Sequence, residues 1–174
     1  MRFANKEMKW FRAGLRDIWK LIDDGNQVAE VHGKGAWPFT FNAVGNINGK
    51  AFQMLLIKKP EHFFSVKIGS ESREWGKVWN KSVMDLSPAI VKTFDGRVFE
   101  IRDTGFTDKG LTFHVVDEKG LIIAINTYHR DQTREKGIGT FQADNGLRDD
   151  DEILAIAMIC TMFAALFGPM KYGH

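Results

Sequence analysis

One cysteine, four prolines and two tyrosines among 174 residues remove several classes of protein at the outset. A lone Cys160 cannot close an intramolecular disulfide, so no disulfide scaffold is available and a reducing, cytoplasmic setting is expected. Four prolines are too few for a proline-rich or collagen-like chain. The formal net charge is only +2, far from the dense basic face that nucleic acid requires, so no nucleic-acid partner is expected. Residues 2–20 carry charges throughout and lack the apolar stretch of a secretory signal. Gly-x-Ser-x-Gly, phosphate-loop and Gly-x-Gly-x-x-Gly motifs are all missing. The histidines His32, His62, His114, His129 and His174 are not spaced as metal pairs, and no cysteine accompanies them. The expectation is a protein with no enzymatic activity, no metal and no cofactor.

What is present is aromatic and alternating. The 14 phenylalanines and 5 tryptophans favour strands around a filled interior. Asp24-Gly25, Asn48-Gly49 and Asp95-Gly96 each separate alternating segments, as does Asp117-Glu-Lys-Gly120; these are hairpin turns that need positive φ. Leu111, Phe113 and Val115 alternate with Thr112 and His114, which places His114 outward and exposed. Further strands are expected at 39–44, 63–68 and 138–142. The whole reads as ten to twelve short strands in a single domain over residues 1–174, a meandering barrel or sandwich. Two segments are ambiguous. Met8, Phe11, Leu15 and Ile18 recur at helical spacing, consistent with a short amphipathic helix within residues 1–16. Residues 74–84, with Trp75 and Trp79 four apart, fit either a helical turn or strands that alternate poorly.

The C-terminal segment is the firmest helix. Asp149-Asp-Asp-Glu152 precedes an apolar run over residues 153–168, and Gly168-Pro169 supplies a stop. The four acids read as capping and solvated charge rather than a cation site. Apolar on every side, the helix must be enclosed by lipid or by protein. At roughly 24 Å it falls short of a bilayer span, and a barrel of ten or more strands has room for a helix at its centre. A buried helix over residues 149–168 is therefore expected, with Cys160 in the core. The alternative is a tail anchor with residues 153–168 in the bilayer.

The segments 21–30 (Leu-Ile-Asp-Asp-Gly-Asn-Gln-Val-Ala-Glu), 115–124 (Val-Val-Asp-Glu-Lys-Gly-Leu-Ile-Ile-Ala) and 149–168 together resemble the tubby C-terminal-like superfamily, which includes phospholipid scramblases and LURP-one-related proteins. The resemblance implies a closed barrel of roughly twelve antiparallel strands wrapped around a hydrophobic C-terminal helix. It also implies a non-enzymatic module acting at membrane surfaces, with anionic phospholipid, such as a phosphoinositide, as partner. The basic motif of the tubby lipid site has no counterpart here, nor do the cysteine cluster and acidic calcium-binding segment of scramblases. The candidate anion-binding residues of this chain are Lys58 and Lys59 after an apolar strand, and Arg130, Arg134 and Lys136 after Tyr128, with Arg12 and Arg16 nearby. A third reading, a small ligand held in a barrel mouth, has no motif behind it, and a helix filling the barrel would leave it little cavity.

Overall fold

A computed structural model of the chain describes residues 1–13, 17–36, 40–70, 74–80, 89–131 and 136–171. The hairpin turns set its path. Asp24 and Gly25 both adopt positive φ (47° and 79°), as do Asn48 and Gly49 (48° and 76°). That pairing of signs matches the right-handed twist of the flanking strands and closes them tightly. The strands are β1 (Glu7–Ala13), β2 (Ile18–Asp23), β3 (Asn26–Lys34), β4 (Asn42–Ile47), β5 (Lys50–Ile57), β6 (Phe63–Ile68), β7 (Glu74–Asn80), β8 (Ala89–Thr93), β9 (Val98–Thr107), β10 (Gly110–Val116), β11 (Ile122–Asp131) and β12 (Lys136–Ala143), followed by the helix α1 (Asp150–Lys171). Each strand pairs antiparallel with its neighbour in sequence, and β1 closes the ring against β12 with Trp10 opposite Gly139. The fold is an all-β, closed antiparallel twelve-stranded barrel with one C-terminal helix.

The period of two decides what lines the interior. Trp10 and Met8 on β1, Trp19 and Leu21 on β2, and Phe52 and Met54 on β5 are all buried. The side chains of Ile153–Ala165 are buried on every side of α1, which packs mainly on β11 and β12 and also on β2, β3, β4 and β10. The helix thus runs inside the barrel, as its all-round apolarity requires. The tail-anchor alternative is set aside on this burial. Among the described residues, no helix is long and apolar enough to cross a membrane.

Several expectations change. The helix expected within residues 1–16 is replaced by β1: burial follows Met8 and Trp10 at a spacing of two, and Phe11 is only half-buried. Glu74–Asn80 form one strand, with Trp75 inward and Trp79 half-buried; residues 81–84 lie outside the described residues. The strand expected at 39–44 begins at Asn42 and runs to Ile47, residue 39 lying outside the described residues, whereas 63–68 coincides with β6. Gly168-Pro169 does not stop α1, which continues to Lys171. Pro169 has no N–H to offer the carbonyl of Ala165 four residues back, and Arg12 Nη1 donates to that carbonyl at 3.4 Å. Thr112 points outward yet is buried, and His114 beside it is half-buried rather than exposed. Both line a groove of about 510 Å³ on the outer face of the barrel, with Thr127 and Thr140.

Candidate functional site

Because successive strands are antiparallel, every odd-numbered strand ends at one rim of the barrel and every even-numbered strand at the other. The helix starts at the even rim, after β12, and leaves the interior at the odd rim. The described candidate basic residues belong to the odd rim. Lys58 and Lys59 follow β5 and are exposed. Arg130 on β11 lies opposite Gly137 of β12, and Lys136 opposite Asp131, so these two share one pair of strands. Arg134 lies outside the described residues, as does Arg16. The structure therefore brings Arg130 and Lys136 together on adjacent strands and places Lys58 and Lys59 on the same rim, six strands round the ring. Arg12 is not part of a free surface: its guanidinium bonds Asp17 and lies over the Trp19 ring, 5.4 Å from the centroid.

Charge is distributed differently at the two rims. At the odd rim, Lys34, Lys58, Lys59 and Lys109 make no ion pair with a described residue. At the even rim, Arg2 and Lys6 pair with Asp23, Lys50 with Asp151 at 2.5 Å, and Arg148 with Asp95 and Asp149, while the exposed Lys92 and Lys119 make no ion pair with a described residue. The hydrogen bonds that Lys6 donates to Asp23 and Asp24 raise its pKa, and the one that Lys50 donates to Asp151 raises that of Lys50.

The start of α1 is the best-organised polar region. Asp149 caps it, its Oδ1 accepting the Glu152 N–H at 2.9 Å, as a capping residue should. Asp150 accepts the backbone N–H groups of Arg2 and Phe3, both at 3.0 Å. Glu152 is fully buried and accepts Arg97 through both oxygens, at 2.5 and 3.1 Å, and the Arg148 N–H at 2.5 Å. Arg97 also donates to Asp95, whose carboxyl is held down at about 2, chiefly by the Thr93 hydroxyl and then by Arg97. The four acids are thus engaged in caps and ion pairs. Among the described residues, no group of His, Cys, Asp and Glu is placed to hold a metal ion. Burial pushes the Cys160 thiol up, as befits a core residue rather than a nucleophile.

Sequence reasoning missed both the Arg97–Glu152 pair and a cleft of about 530 Å³ beside it. The cleft opens between the start of α1 and the β5–β8 side of the wall, the side on which the helix packs least. Arg97 follows the Asp95-Gly96 turn and carries no motif of its own; only the closure of the barrel brings it to Glu152. Trp75, which lines the cleft, lay in a segment whose conformation the sequence left open.

The chain matches no model of a known protein family, and no curated protein matches it by sequence. Its structure is similar to the X-ray structure of a protein from Arabidopsis thaliana, with a TM-score of 0.54 and 13% identity over 92% of this chain and 91% of that one. At that identity the likeness concerns the barrel fold alone.

Proposed function

We propose that this chain is a non-enzymatic binding module of the tubby and scramblase-like type, which sets the odd rim of its barrel against an anionic phospholipid surface. The observation that supports the reading is the set of four lysines there, Lys34, Lys58, Lys59 and Lys109, none of which makes an ion pair with a described residue. A lysine with no acid partner is free to meet a lipid phosphate, and each such charge near an anionic leaflet contributes about 1 kcal/mol. The protein would then sit peripherally on the cytoplasmic face of a membrane, held by charge rather than by insertion.

Co-sedimentation with phosphatidylserine-containing vesicles tests this. Binding is expected at low salt and should fall steeply as ionic strength rises. Replacing both Lys58 and Lys59 by serine should weaken it by roughly 30-fold, the equivalent of about 2 kcal/mol. Equal binding to neutral vesicles, or no response to the double substitution, would sink the proposal.

A further inference from the structure

We infer that the groove on the outer face of the barrel, across β10, β11 and β12, binds a neutral monosaccharide through its hydroxyl groups. Its volume, about 510 Å³, lies within the range of roughly 300–1,000 Å³ usual for small-molecule sites. Its floor is a row of threonines. Thr112, Thr127 and Thr140 lie opposite one another on the three strands, so their side chains repeat about 4.7–4.9 Å apart on one face of the sheet. Threonine is short, and the next outward row on the same strands is longer: His114, Ile125 and Gln142, continued by Glu7 on β1. The β9–β10 turn adds Thr107, whose Oγ1 lies 3.4 Å from that of Thr112.

Thr127 carries the argument. It faces outward into the groove yet is only 7% exposed, and its hydroxyl has no hydrogen-bond partner among the described residues. A polar group so enclosed is normally bonded, and here that bond is left to whatever occupies the groove. The side chains of Thr140, Gln142, Glu7 and His114 likewise make no hydrogen bond or ion pair with a described residue. Hydroxyl and amide groups both donate and accept, and a ligand that satisfies them must do the same. An ammonium only donates, and a carboxylate or phosphate only accepts. An anion would also face the carboxylates of Glu7, Asp108 and Asp144 against Lys109. Sugar hydroxyls do both, and the C–H faces of the ring have the exposed Ile122 and Ile125 to lie against.

Titration calorimetry with glucose, galactose and mannose, set against glucose 6-phosphate and glucosamine, tests the inference. At least one neutral sugar should bind saturably, and roughly tenfold or more tightly than either charged analogue. Thr127→Val keeps the shape of the side chain and removes the hydroxyl. It should weaken sugar binding by roughly tenfold or more and leave the thermal midpoint unchanged, because that hydroxyl has no partner in the free protein to lose. The double Lys58→Ser, Lys59→Ser variant should bind the sugar as the wild type does, which separates this groove from the lipid-binding rim. The methyl glycoside of the sugar that binds distinguishes the two sources of the chemistry: equal affinity assigns the end of a glycan, and lost affinity assigns the free sugar. No saturable binding of any of the three sugars up to about 50 mM, a charged analogue that binds as tightly as the best of them, or full affinity in a folded Thr127→Val variant would each overturn it.

Discussion

Replacing Arg97 by leucine should be among the most damaging single changes on this surface, because of what it leaves behind. Glu152 has no exposed surface, and both of its carboxylate oxygens accept from Arg97. Removing one partner of a fully buried pair costs about 3–5 kcal/mol, since the survivor is a desolvated, unpaired charge. Two features reduce that here. The Arg97 side chain is 33% exposed, so water reaches part of the pair, and Glu152 keeps the Arg148 N–H. A loss of about 2–3 kcal/mol is the expected result, or roughly 4–12 °C in Tm for a chain of this size. Urea unfolding followed by circular dichroism measures it. The diagnostic step is the second substitution: adding Glu152→Gln to Arg97→Leu should recover part of the loss, because the stranded charge is then gone. If Arg97→Leu costs less than about 0.5 kcal/mol, or if the double variant is less stable than the single one by the full cost of Glu152→Gln alone, the pair does not anchor the helix.

Three further outcomes follow from the geometry. A Cβ added at Gly139 would lie 2.0 Å from the Thr127 carbonyl oxygen and 2.5 Å from the Trp10 ring, so Gly139→Ala should cost more than about 2 kcal/mol in thermal unfolding, whereas Gly49→Ala, at a turn with φ of 76° and nothing nearby, should cost about 1 kcal/mol. The hydrogen bonds from the Thr93 hydroxyl and then Arg97 hold the Asp95 carboxyl at about 2, below its ordinary value of 3.8, so its ionised form favours folding. The stability difference between the wild type and Asp95→Asn should therefore be full above about pH 4, shrink as pH falls, and vanish below about pH 2 in acid-unfolding curves. Ending the chain before Asp149 removes the helix that the inward side chains of β11 and β12 pack on, so that truncation should give no cooperative unfolding transition; a sharp transition from the helix-less barrel would show that its walls need no filling.

Turns and the final helix were legible in the sequence because each depends on a local rule. Asp24-Gly25 and Asn48-Gly49 need positive φ whatever surrounds them, and an apolar run bounded by four acids has one sensible conformation and few places to go. The errors came where a local rule met a closed sheet. Met8, Phe11, Leu15 and Ile18 make a passable helical stripe, but β1 pairs with both β2 and β12, and that double pairing overrides a four-residue periodicity. Gly168-Pro169 failed as a stop because Arg12, some 150 residues earlier in sequence, donates to the carbonyl that the proline leaves free. The basic residues were legible as residues but not as a rim. Their common side depends on strand parity, which is knowable only once the strands are counted, and their separation round the ring depends on closure.

The difference between the rims has to be divided between what the helix demands and what it does not. A helix start concentrates partial positive charge, and Asp149, Asp150, Asp151 and Glu152 answer it within the first turn. Their counter-ions Arg97, Arg148 and Lys50 then follow from the need to pair acids held at a crowded barrel mouth. Most of the charge at the even rim is accounted for in this way by stability. The dipole's influence dies away within a turn of the other end, and Lys58 and Lys59 belong to the β5–β6 connection, on a part of the wall that the helix packs against least. No cap or described ion pair uses them. Lys58 and Lys59 are thus charges that the barrel does not require, so this part of the odd rim is where selection for a partner, rather than for the barrel, has room to act.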